Sequence, residues 1–118
     1  MRASRGEIKI EEILKQYNIP FKEEYSFEDL KAENGKLLRF DFAIFDDDGN
    51  IDFLIEFQGK QHYQPVSKFG GKNGFSKQKW NDNKKRRYCL LHKIKLIEIP
   101  YYEENLITYD YIMKKAGY

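Results

Sequence analysis

Apolar positions recur along this chain with two different periods, and the switches between them mark out its elements. Ile10, Ile13, Leu14 and Tyr17 follow the i, i+3, i+4, i+7 spacing of one helix face, so Ser4 to Tyr17 is expected to be helical. Ser4 followed by Glu7 matches a capping box, and Pro20 marks the stop. Phe21 to Phe27 alternates loosely and reads as a first strand. Leu37 to Phe45 and Ile51 to Gln58 read as two more, separated by the turn signal Asp46-Asp47-Asp48-Gly49-Asn50. Gly59 to Phe75, with Pro65, Gly70, Gly71 and Gly74, reads as a long polar loop. Ser76 to Leu91 is expected to be a basic helix. Ile94 to Ile99 is expected to be a short strand ended by Pro100, and Asn105 to Lys115 a terminal helix stopped near Gly117. The order α-β-β-β-α-β-α describes an α/β fold, a mixed central sheet of about four strands flanked by helices in one domain spanning 1–118.

Two carboxylates interrupt otherwise apolar strands, Asp41 within Phe40-Asp41-Phe42 and Glu56 within Ile55-Glu56-Phe57. If Asp46 pairs with Ile51, the antiparallel register sets Asp41 opposite Glu56 and Arg39 opposite Gln58. Directly opposed residues share a face with Cβ atoms about 4.5–5.5 Å apart. The other face then carries Phe40, Phe42 and Ile44 against Phe53, Ile55 and Phe57, and reads as the core. A slip of one residue would send the two acids to opposite faces. Facing acids repel unless one is protonated or a cation lies between them, and Mg²⁺ commonly takes one or two protein carboxylates together with phosphate oxygens. Without a cation, the same pair would be bridged by Arg39 or Lys60.

Charge is distributed unevenly. Residues 41–56 hold six acids and no Lys or Arg, whereas residues 68–95 hold ten bases and the single acid Asp82. An acidic centre beside a basic arm suits a metal site next to a phosphate-binding surface, with Lys60, Lys68, Lys72, Lys77, Lys79, Lys84, Arg86 and Arg87 as candidates for nucleic-acid contact. The plain alternative is a solvated basic helix. Trp80, Tyr63 and Phe69 lie among these bases; Trp80 is expected in the core. His62 follows the strand end closely enough to fold back over the acids as a general base or acid. Asp82, Lys85, Arg86 and Cys89 share a helix face, where Asp82 would orient His62 or simply form an ion pair. No apolar run approaches a membrane span, and the lone Cys89 forms no internal disulfide, so a cytoplasmic chain is expected.

Together these motifs are specific: Gly6-Glu7 opening a helix, Phe40-Asp41-Phe42, Glu56-Phe57-Gln58-Gly59-Lys60-Gln61-His62-Tyr63, then Asp82 with Lys85. Over residues 5–100 the chain resembles the PD-(D/E)XK nuclease superfamily, and within it the branch of very-short-patch repair (Vsr-like, EDxHD) nicking endonucleases and related phage homing endonucleases. The resemblance implies a restriction-endonuclease-like core and a Mg²⁺-dependent DNA endonuclease, with Mn²⁺ able to substitute. It implies Asp41, Glu56 and the backbone carbonyl of Phe57 as metal ligands. Gln58 and His62 would position or deprotonate water, with Glu7, Asp82 and Lys85 in support. Gln58 stands where the superfamily has Lys, and an amide carries no charge. That substitution keeps open a degenerate nuclease fold that binds nucleic acid or acts as an inhibitor; a junction resolvase is a further alternative. DNA is the expected partner, with a homodimer or second protein supplying specificity, and a phage or mobile element is a compatible source.

Overall fold

The computed structural model describes residues 4–118. Helix α1 (Arg5–Gln16) is followed by β1 (Phe21–Lys31), β2 (Leu37–Phe45) and β3 (Ile51–Gln58). Two short 3-10 turns, at Lys60–His62 and Ser67–Phe69, lead into α2 (Gly71–His92), then β4 (Lys95–Pro100), a 3-10 stretch at Tyr101–Leu106, and α3 (Tyr109–Lys115). The fold is therefore α/β in the expected order. The sheet runs β1-β2-β3-β4, antiparallel except for β3 with β4, which are joined through α2 and parallel.

Both faces of the sheet are covered, giving three layers. On one face Phe42, Ile44, Phe53, Ile55 and Phe57 pack with Ile10 and Leu14 of α1 and Ile112 of α3. On the other, Leu38, Phe40, Ala43 and Leu54 pack with Cys89 of α2. Phe40 thus belongs to the second layer, not to the Phe42 face as its spacing suggested. The backbone rotates between the two residues at the point where the β2–β3 ladder ends, its last pair being Phe42 with Ile55.

The hairpin reaches the expected register by a different turn. Asp46 closes on Asn50, and its Oδ1 accepts the N–H groups of Asp48 (3.0 Å) and Asn50 (2.9 Å). Gly49, at φ 81°, supplies the left-handed residue such a loop requires. Phe45 pairs with Ile51, an irregularity follows, and from Ile44↔Phe53 inward the ladder has the offset that sets Asp41 toward Glu56. The loop is one residue shorter than expected, and the bulge restores the difference.

Helix α2 begins five residues before its expected start. Gly71 and Gly74 are poor helix formers, which hides this turn in the sequence. Close approach explains Gly74: a Cβ there would fall 1.8 Å from the carbonyl oxygen of Phe69. Trp80 is 58% exposed on α2, correcting its assignment to the core. Among the described residues no helix is long and apolar enough to cross a membrane.

Gly6 decides where α1 sits. It is buried on the first turn, and a Cβ there would fall 2.3 Å from the Phe57 ring. The ring therefore lies directly against the α1 backbone, one residue from Glu7. Gly6→Ala would force helix and ring apart, at a cost of about 1–3 kcal/mol of overpacking partly offset by the better helix propensity of Ala. The expected result is a lower melting temperature; a variant as stable as the parent would show that the contact is slack.

Candidate active site

The cavity opens where α1, β1, β2, β3 and α2 converge. It measures about 640 Å³ and is lined by Glu7 and Ile8 of α1, Glu24 of β1, Arg39 and Asp41 of β2, Glu56 of β3, His62, Lys68 and Phe69 of the connecting loop, and Lys85 of α2. Five of the seven candidate catalytic residues meet there: Glu7, Asp41, Glu56, His62 and Lys85.

Asp41 sits where β2 parts from β3. Its Oδ2 accepts the backbone N–H of Phe57 at 2.7 Å, so the side chain spans the strands beyond the end of the ladder. By the register of the ladder, Asp41 takes the position opposite Glu56. Burial raises Asp41 above the ordinary carboxylate range, against the opposing effects of the Phe57 N–H and the Lys85 charge. Glu56 is buried, and its Oε1 lies 2.5 Å from the Lys85 ammonium. Burial pushes it up to about 8; Lys85 pulls the other way and Asp41 adds to the rise. Thus Lys85 from α2 bridges Glu56, rather than Arg39 or Lys60. Glu7 is raised by burial and then by the charge of Asp41, while Ser4 holds it in the expected cap: Ser4 Oγ accepts the Glu7 N–H at 3.2 Å and donates to Glu7 Oε1 at 3.1 Å.

His62 reaches the cavity on the 3-10 turn that follows β3. Its Nδ1 lies 2.9 Å from Asp82 Oδ2, and Gln78 donates to the other Asp82 oxygen at 3.0 Å. Burial alone would raise Asp82, but the hydrogen bonds from His62 and Gln78 hold it below its usual value. An ionised Asp82 accepts from Nδ1–H, which fixes the tautomer and leaves Nε2 as the basic nitrogen of the neutral ring. Asp82 is not on the cavity wall and meets it through His62.

Gln58 is not brought to the cavity. It is buried, and the hydroxyl of Tyr63, folded back by the 3-10 turn, donates to its Oε1 at 2.7 Å. Of the eight basic candidates for nucleic-acid contact, only Lys68 lines the cavity. Lys84 is tied to the carbonyl of Lys31, Arg86 to Glu98 at 2.7 Å, and Lys79 lies over the Phe75 ring. Lys60, Lys72, Lys77 and Arg87 are exposed on the outer surface.

Among the lining residues that sequence reasoning left unassigned is Glu24, and Arg39 lines the cavity without bridging the acid pair. Glu24 has a left-handed backbone, φ 51°, at the register position facing Asp41, and its carboxylate lies 3.6 Å from Arg39. Such a conformation outside glycine costs on the order of 1 kcal/mol or more and recurs at functional sites, yet a glutamate gives no sign of it. Arg39 had one legible signal, its place two residues before Asp41 on the same strand.

Whether the donor set suits a divalent cation follows from its chemistry. Of the acids that line the cavity, Glu7, Asp41 and Glu56 are all raised by burial, and Glu7 and Glu56 also by neighbouring carboxyls. Extra positive charge would relieve that crowding, and hard oxygen ligands suit Mg²⁺ or Mn²⁺. Among the described residues, however, no three acid, His or Cys side chains converge as a ready ligand cluster. The residues fit a two-carboxylate site completed by solvent or substrate oxygens.

The chain matches no family model and no solved structure. It is 33% identical over 87 residues to "Uncharacterized protein 307L" of Invertebrate iridescent virus 6, an alignment covering 72% of this chain and 44% of the relative. It is 46% identical over 62 residues to "Uncharacterized protein 094L" of Frog virus 3 (isolate Goorha), covering 51% and 40%. The chain spans less than half the length of these relatives. Both are viral, which fits a viral origin.

The raised acids predict a pH dependence with a definite sign. Groups whose pKa is raised on folding stabilise fully below their unfolded values, near 4, and that contribution is lost as pH climbs through their folded values, up to about 8 for Glu56. Asp82 has the opposite sign, but its loss comes only on acidification below its usual value. With EDTA present, the melting temperature should fall by several degrees between about pH 5 and pH 8. A flat or rising profile would contradict the acid crowding.

Proposed function

We propose that this chain is a metal-dependent DNA endonuclease that hydrolyses phosphodiester bonds, with Mg²⁺ as its natural cation and Mn²⁺ as a substitute. The observation that carries this reading is the facing pair Asp41 and Glu56 in one cavity with a histidine whose tautomer Asp82 fixes. The sequence resemblance to Vsr-like nucleases, carried by these same residues in their order along the chain, supports it.

Asp41 and Glu56, with the carbonyl of Phe57, would hold the cation. When bound, it would offset the negative charge of the phosphate and make a nearby water more acidic. The remaining roles belong to side chains. His62 accepts the proton of the attacking water at Nε2, and Asp82 stabilises the resulting imidazolium. Glu7 keeps a polar wall beside the acid pair. Arg39 and Lys68 are the exposed cations on the cavity lining, suited to phosphates flanking the reacting one. The bases outside the cavity add affinity without reading sequence. Gln58, held by Tyr63, supports the strand end instead of handling water.

Viral relatives suit an enzyme encoded by a virus or mobile element. Target sequence and choice between nicking and double-strand cutting would come from a second copy of the chain or from a partner.

Supercoiled plasmid incubated with wild type or Asp41→Ala, in Mg²⁺, Mn²⁺ or EDTA, tests the reading. Metal-dependent relaxed or linear product is expected from wild type, with a loss on the order of 100-fold or more in the variant. Intact plasmid in every metal, with DNA binding retained, would transfer the assignment to a nucleic-acid-binding protein on a degenerate nuclease fold. Cleavage of branched junctions in preference to linear duplex would instead favour a resolvase.

A further inference from the structure

Lys85 stands where the acid pair calls for a cation. Its ammonium lies 2.5 Å from Glu56 Oε1, both residues are buried (9% and 6% exposed), and the Phe40 ring lies 5.4 Å from the nitrogen. Lys85 also lines the cavity, so its flexible stem has room to carry the charge away from Glu56.

We propose that Lys85 is the resident cation of the Asp41–Glu56 pair, that it leaves Glu56 when a divalent cation binds, and that the freed ammonium turns into the cavity toward a phosphate. The last step rests on the nuclease reading; the exchange itself requires only the lysine and the two acids. Three observations carry it. First, Glu56 Oε1 lies 2.5 Å from the Lys85 ammonium and both side chains are buried, so a second cation on this carboxylate meets the ammonium at close range in a poorly screened interior. Second, a buried ion pair is expensive to assemble and adds little net stability over an apolar pair, so this one is better accounted for by a use than by folding. Third, the Phe40 ring provides a face along which the charge can move without being stranded. The consequence is an order of events: Lys85 stays on Glu56 until a divalent cation arrives, and only then is its charge available to a substrate.

A purely structural ion pair makes the opposite forecast for one variant. Lys85→Met keeps the stem and removes the charge; Lys85→Arg keeps the charge. Mn²⁺ affinity of the full chain, measured by calorimetry without DNA, should increase about tenfold or more in Lys85→Met, with Lys85→Arg no tighter than wild type. A Lys85→Met protein that folds and binds Mn²⁺ no tighter than wild type overturns the exchange. If that variant does not fold, the ¹⁵Nζ resonance of Lys85 in wild type decides: it should shift as Mg²⁺ is added, in step with the Glu56 carboxyl carbon, and an unmoved resonance at Mg²⁺ saturation overturns the proposal. Wild type that cleaves DNA while Lys85→Met gains no affinity removes the exchange and leaves the nuclease. A gain in a protein that cuts no DNA keeps the exchange and removes the nuclease. Absence of Mn²⁺ binding in both proteins removes both.

Discussion

One hydrogen bond holds the candidate site together, that from the Phe57 N–H to the Asp41 carboxylate. It lies where β2 parts from β3, so a side chain does there what backbone pairing does along the rest of the hairpin. Because Asp41 spans the gap, it cannot turn away from Glu56, and the two acids are kept close despite their repulsion. Phe57 on the same peptide packs its ring on Gly6 and so fixes α1 with Glu7. From the other side α2 contributes Lys85 and Asp82, and Asp82 fixes His62. Groups from five segments of the chain thus meet around a single strand end.

The electrostatics divide into two regions. Inside the cavity acids outnumber bases, and burial rather than any one partner lifts Glu7, Asp41 and Glu56. Most of the basic arm lies outside it, on the exposed side of α2 and its approach loop. An acidic interior repels a phosphodiester while the basic exterior attracts one. A nucleic acid would therefore be gathered by the outer surface and admitted to the cavity only after positive charge has entered it. Lys85 is too deep and too firmly engaged with Glu56 to serve both ends at once.

The facing of Asp41 and Glu56 was legible because a strand has a period of two and any slip would bury the wrong set of residues. The capping of α1 was legible for a similar reason, since a spacing of three residues constrains geometry; the pairing of His62 with Asp82, 20 residues apart, was only one of two readings open for that acid. Other features depended on tertiary balance. The bulge beside Phe45 and the rotation that moves Phe40 into the other layer leave no composition signal. Gly71 and Gly74 disguised the first turn of α2, although Gly74 is there to let the Phe69 carbonyl approach. Trp80 looked like core because tryptophan usually is, yet α2 turns it outward. That Lys85 binds Glu56 depends on the rotation of α2 against the sheet, which no local spacing encodes.

On the proposed function, Asp41 and Glu56 form a cation site in this cavity. Crystals of the chain soaked in Mn²⁺ and measured at the manganese absorption edge test it most directly. An anomalous peak between the two carboxylates, with Lys85 moved off Glu56, is the expected result. No peak there at saturating Mn²⁺, with the Lys85–Glu56 pair intact, would contradict it.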